Sequence, residues 1–135
     1  MIAPMLAGNV LCGDAGNFII AEWRDAGSSP DEKRLIAPRH VHRSDDEAWY
    51  VLEGRLMFEI GDDEVEARAG SAVLAPAGAS HTYWNPSAEP ARYVIVMTPK
   101  IHHLIKAIHA MPVRSREALA ALFEAHDSIL LPDNP

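Results

Sequence analysis

His40-Val41-His42-Arg43-Ser44-Asp45-Asp46-Glu47 decides how this chain is read. With the residues downstream it forms two spaced patterns, His40-x-His42-x4-Glu47-x6-Gly54 and Gly70-x5-Pro76-x-Gly78-x2-His81-x3-Asn85. Side chains two apart on an extended strand project from the same face, so His40 and His42 can reach one ion together. The polar break Arg43-Ser44-Asp45-Asp46 reads as a hairpin loop that returns the next strand, and Glu47 with it, to the same side. Pro76-Ala77-Gly78-Ala79 is a turn, and His81 opens the strand after it. These spacings predict four metal ligands, His40, His42, Glu47 and His81, converging inside a barrel. A lone histidine on an apolar strand is more often a hydrogen-bonded core residue than a ligand. Glu47 tips the balance, because an inward carboxylate is costly unless it is paired or coordinated.

The rest of the chain supplies the barrel. Short apolar runs alternate with turn signals, which predicts an all-β sandwich or barrel. The expected strands are Phe18 to Arg24, Leu35 to Arg43, Ala48 to Leu52, Leu56 to Ile60, Val65 to Arg68, Ala72 to Ala75, His81 to Trp84 and Arg92 to Thr98. The polar stretch 25–34 reads as a surface loop. After Pro99 the apolar period lengthens from two to about three and a half. Ile101, Leu104, Ile105 and Ile108 form one helical face ending before Pro112, and Leu119, Leu122 and Phe123 form another after Ser115 as N-cap. Both helices are expected on the outside of the barrel or against a partner subunit. His102, His103, His109 and His126 are expected to face solvent rather than a metal.

Length and charge narrow the functional classes. At 135 residues the chain suits one domain with a real hydrophobic core. Lys and Arg total 12 against 19 Asp and Glu, a net charge of -7 that repels phosphate backbones and makes nucleic acid an unsuitable partner. The single cysteine, Cys12, forms no intramolecular disulfide, fits a reducing compartment and reads as a small buried hydrophobe. Met1 to Cys12 lacks the basic start of a secretory signal, and Leu11 before Cys12 argues against lipoprotein cleavage. No apolar run approaches the roughly eighteen residues of a membrane span. The expected setting is cytoplasmic.

The two patterns resemble the two sequence motifs of the cupin superfamily of small β-barrels. Nine specified identities match, whereas a common residue type falls at a given place roughly one time in twenty. One position departs: the motif usually begins with Gly six residues before the first His, and Arg34 stands there. That bears on the entry turn and on none of the ligands. The motifs cover Arg34 to Asn85, with looser similarity from about Asn17 to Pro99. The resemblance implies a cupin barrel, a double-stranded β-helix or jelly-roll, over residues 1–99 and a short helical tail over 100–135, in a single domain. It is strongest to small single-domain cupins related to quercetin dioxygenase, and it implies a homodimer, for which the tail offers apolar faces.

Three imidazoles and a carboxylate would leave two open positions on a six-coordinate ion. That donor set suits one divalent Fe, Mn, Co, Ni, Cu or Zn ion per chain without choosing among them. A structural ion, by contrast, usually has a closed coordination sphere. Alternation from the ligands places Trp49 and Val51 on the face of Glu47, and Tyr83 on the face of His81. Phe58, or else Met57 across the pleat, is expected to join them around a substrate pocket, with Tyr93 and Met97. In the catalytic reading Glu47 accepts a proton from a bound enol or hydroxyl, and Tyr83 donates a hydrogen bond to substrate. Oxygen-dependent dioxygenation of an enol or phenol is the first expectation. A Lewis-acid isomerase, cyclase or lyase, and a small-ligand sensor, are the alternatives.

Overall fold

The computed structural model describes residues 10–11 and 16–132, so Cys12 and most of the N-terminal apolar stretch lie outside the described residues. Ten strands and two helices follow in chain order: β1 Val10–Leu11, β2 Ile19–Asp25, β3 Leu35–His42, β4 Glu47–Glu53, β5 Arg55–Ile60, β6 Asp63–Arg68, β7 Ala72–Ala75, β8 Ser80–Trp84, β9 Ala91–Met97, α1 Pro99–His109, α2 Arg116–Ala125 and β10 Ser128–Leu130. They form two five-stranded antiparallel sheets, ordered β1-β2-β9-β4-β7 and β10-β3-β8-β5-β6. The fold is an all-β jelly-roll with a C-terminal helical segment. No helix among the described residues is long and apolar enough to cross a membrane.

Strand alternation builds the interior. In the first sheet the inward row Trp49, Ile95 and Ala21 lies beside the row Val51, Tyr93 and Trp23. In the second, Phe58 is opposite Tyr83 and Ile60 is opposite His81. Trp49, Val51, Phe58, Tyr83, Tyr93 and Met97 all belong to one buried core cluster. The loop 43–46 departs from the expected hairpin. β3 pairs with β8 and β10, and β4 with β7 and β9, so this loop crosses from one sheet to the other. His42 and Glu47 therefore approach each other from facing sheets.

Two glycines of the spaced patterns are required by the backbone. Gly54 has φ +74°, and a Cβ there would collide with the Pro90 carbonyl oxygen, so any side chain would push the β4–β5 turn away from the start of β9. Gly78 has φ +85°, and its N–H donates to the carbonyl of His42 at 2.8 Å, tying the turn before His81 to the strand that carries the His pair.

β3 is irregular where it matters. Ala37 pairs with Tyr83 and His40 with His81, so three steps on β3 are matched by two on β8. This bulge surrounds Pro38, which has no N–H to give to a ladder. The additional residue brings His40 and His42 to the inward side after Ala37 has already faced it.

The helices are started and stopped by their caps. Thr98 caps α1, its hydroxyl accepting from the Ile101 N–H at 3.3 Å and donating to Asp45 at 2.8 Å. Ser115 caps α2 by accepting from the Ala118 N–H at 3.1 Å. Beyond α2, Asp127 adopts φ +57°, a left-handed conformation that Asp tolerates, and turns the chain into β10 alongside β3. The helices differ from expectation in where they pack. Ile101, Leu104, Ile105 and Ile108 of α1, and Leu119 and Phe123 of α2, line the interior cavity. The tail thus forms part of the cavity wall.

Candidate metal centre

His40, His42, Glu47 and His81 come together as a buried group whose potential ligand atoms lie within 4.8 Å of one another. His40 and His81 are direct cross-strand partners, His42 follows on β3, and Glu47 is supplied by the opposite sheet. Glu47 Oε2 lies 3.2 Å from His42 Nε2 and 3.1 Å from His81 Nε2, and the Nε2 atoms of His40 and His42 are 3.2 Å apart.

The outward ring nitrogens explain this orientation. His40 Nδ1–H donates to the Pro38 carbonyl, and His81 Nδ1–H to the Ala79 carbonyl at 3.2 Å. His42 Nδ1–H donates to Ser128 Oγ at 2.7 Å, and Ser128 in turn donates to the His126 carbonyl at 3.1 Å. With Nδ1 bonded on its outer side, each ring turns its Nε2 to the centre, the nitrogen it would offer to a metal. Three ring nitrogens and a carboxylate converging in one buried space make a donor set for a single cation. The cluster fits a single divalent metal site.

Electrostatics favours the metal-binding protonation states. Burial, with the neighbouring His81 and His42 adding to it, lowers His40 to about 3, so the ring is neutral at physiological pH. Burial pushes Glu47 up, but hydrogen bonds with His42 and His81 outweigh it and hold the carboxyl at about 2. Burial raises Tyr83 well above the usual phenol value, with Tyr93 adding to the shift, and the two hydroxyls are 3.0 Å apart. Burial raises Tyr93 as well, so both rings are neutral phenols under physiological conditions.

A cavity of about 460 Å³ reaches the centre and is bordered by His40, His42 and Glu47. Of the residues expected around a pocket, Trp49, Tyr83 and Tyr93 line it. Val51, Phe58 and Met97 are placed behind that wall in the core, with Phe58 stacked on Tyr83 at 5.3 Å between ring centroids. Several lining residues escaped the sequence reading. Phe123, 1% exposed, sets its edge against His40 with centroids 5.3 Å apart. Its helical apolar face is visible in the sequence, but nothing local says that the face meets a ligand histidine. Trp23, His109, Arg114 and Arg116 also line the cavity. His109, expected in solvent, is exposed yet meets Trp23 edge-on at 5.9 Å, and His102 is buried. Ser128 belongs to a strand of three residues, too short to leave a periodic signal.

A jelly-roll with three histidines and one glutamate buried together defines a class of metal-holding β-barrels. The Cupin domain family matches residues 31–97, which contain all four clustered side chains. A protein of known structure from Thermus thermophilus is 30% identical, covering 62% of this chain and 73% of its own, with a TM-score of 0.53. A structure described as a sugar phosphate isomerase from a cupin superfamily, from Silicibacter pomeroyi, is 27% identical over 62% of this chain and 51% of its own, with a TM-score of 0.52. An uncharacterized protein of Streptomyces coelicolor is 29% identical over 75 residues, which are 56% of this chain. That match spans 63% of the Streptomyces protein's length. The chain belongs to the cupin superfamily.

Proposed function

We propose that this protein is a metal-dependent cupin enzyme that oxidises a small enol or phenol with dioxygen. The observation supporting this reading is the union of the three-histidine, one-glutamate group with an aromatic and aliphatic cavity of about 460 Å³. His40, His42, Glu47 and His81 would hold a transition-metal ion, which would supply Lewis acidity and, where redox-active, a route for electrons to dioxygen. Trp49 and Tyr83, tilted by 56° with centroids 5.5 Å apart, give the cavity aromatic faces on which a planar substrate can lie. Tyr83, a neutral phenol, donates a hydrogen bond to a substrate oxygen by turning from Tyr93. Glu47 is the sole carboxylate among the described lining residues and accepts the substrate's proton.

A second reading draws on the sugar phosphate isomerase relative: the ion acts as a Lewis acid without oxygen. The wall composition weighs against a sugar. Each buried hydroxyl needs a polar partner. Most of the lining is aliphatic or aromatic, which suits an apolar body better than a ring of hydroxyls.

Oxygen uptake with enols, catechols and flavonols, measured after loading with iron, manganese, cobalt, nickel, copper or zinc in turn, separates these readings. Uptake with redox-active metals and none with zinc is the expected result. Oxygen-independent conversion, with zinc as effective as iron, establishes the Lewis-acid reading. Tight binding without product under every metal makes the protein a sensor.

A further inference from the structure

We infer that the ligand of this cavity is an organic anion, with its apolar body inside and a carboxylate held at the rim by Arg114 and Arg116. The inference rests on the reading above only in that the cavity receives a substrate.

The chain carries a net charge of -7, yet the exposed part of the cavity lining is basic: His109, Arg114 and Arg116. Glu47, the only acidic lining residue among those described, is engaged by His42 and His81. The rim can therefore attract an anion against the protein's overall field. Arg116 is also held in place. It opens α2, whose N-terminal end carries partial positive charge, and one guanidinium nitrogen donates to the Leu131 carbonyl. Its remaining donors retain the planar fork that matches a carboxylate. No ion pair joins Arg114 or Arg116 to a carboxylate among the described residues. A single solvated arginine at a surface needs no ligand to explain it. Two bordering one opening, neither paired among the described residues, point to an anionic acceptor.

A donor on the cavity wall points to the same chemistry. The buried Trp23 Nε1–H has no acceptor among the described residues. Trp23 lines the cavity and meets the rim residue His109 edge-on. An unmet buried donor carries a free-energy penalty that an acceptor-bearing ligand removes. The neighbouring aliphatic wall, Ile105, Ile108 and Leu119, favours a carboxylate on a hydrocarbon body over a small hydrophilic anion.

The test compares 3-phenylpropanoate with the neutral 3-phenylpropanamide, titrated calorimetrically into the full-length protein loaded with redox-silent zinc. The carboxylate is expected to bind about tenfold tighter. Arg114→Gln and Arg116→Gln should each reduce carboxylate affinity by about threefold, leave the amide unchanged, and together erase the preference. Arg114, exposed and unpaired among the described residues, supplies a variant with little risk to folding. Equal affinity for both probes, or no binding of either at millimolar concentration, overturns the inference. So does a preference that survives the double substitution, since the metal rather than the arginines would then hold the carboxylate. Binding is read without turnover, so absent oxygen uptake would leave an anion site standing, and loss of the preference would leave an oxygenase of neutral substrates standing.

Discussion

Ser128 Oγ lies 2.7 Å from His42 Nδ1, joining the C-terminal strand β10 to a metal ligand on β3. This serine fixes which nitrogen of His42 faces the centre, because its own proton goes to the His126 carbonyl. Ser128→Ala leaves the ring's outward N–H without that acceptor. Metal affinity is expected to fall about tenfold with little change in fold. Competition against a chromophoric chelator measures it, and an unchanged affinity would show that the serine does not orient the ring.

The four clustered side chains should act as one set. His40→Ala, His42→Ala and His81→Ala each remove a neutral nitrogen donor, and each purified variant should lose most of its metal by elemental analysis. Full stoichiometric metal in His81→Ala would refute the four-ligand arrangement. Glu47→Gln keeps the shape but loses the anionic donor, so weaker binding or an altered metal preference is expected.

Acid should destabilise the metal-stripped protein. His40 has a folded value of about 3 against an ordinary 6.5, so the unfolded chain binds the proton first and stability falls as pH drops below 6.5. Glu47 acts in the same direction at lower pH, its contribution being present above 4.5 and lost as pH falls through about 2. The urea midpoint should decline from neutral pH toward pH 4, with a shallower decline in His40→Leu. Identical slopes in the two proteins would contradict the assignment to His40.

Phe123→Ala removes a fully buried ring from between α2 and His40. The expected cost is about 3–5 kcal/mol, read as a lowered denaturation midpoint. Because the ring touches a ligand, metal should also be released faster. A large stability loss with unchanged metal dissociation would assign Phe123 to packing alone.

We expect a homodimer, and the surface favouring it is not the tail, whose apolar faces meet the cavity. Leu74, Tyr50 and Val96 are exposed on the outer face of the β7-β4-β9 sheet, Leu74 by 57%. Light scattering at tens of micromolar protein should give twice the chain mass, and Leu74→Lys should return the monomer. A monomeric parent protein refutes this expectation.

Much of the barrel was legible because strand alternation is a local signal. Ala72–Ala75 has the bounds its composition predicts, and the change of period after Pro99 and the Ser115 cap place both helices. The association of His40 with His42 follows from their two-residue spacing. What sequence did not disclose is non-local. Arg43 to Asp46 is equally suited to a hairpin and to a crossing between sheets, and only the pairing of β3 with β8 distinguishes them. Likewise, the apolar faces containing Ile105 and Phe123 announce burial without naming what they cover. Ser128 was illegible for a further reason: its role depends on an acceptor placed 86 residues from His42.

The bulge between Ala37 and His40 makes this site unequal in its tolerance of inherited change. Exchange of one base in this stretch alters one side chain and leaves the others facing as before. In-frame loss of a single codon is another matter, because it reverses the parity of the strand beyond it and would bring Val41 inward in place of both histidines. A lineage can therefore vary the residues around Pro38 while preserving their number. Among homologues that retain metal, length across this short segment should be more strictly kept than identity.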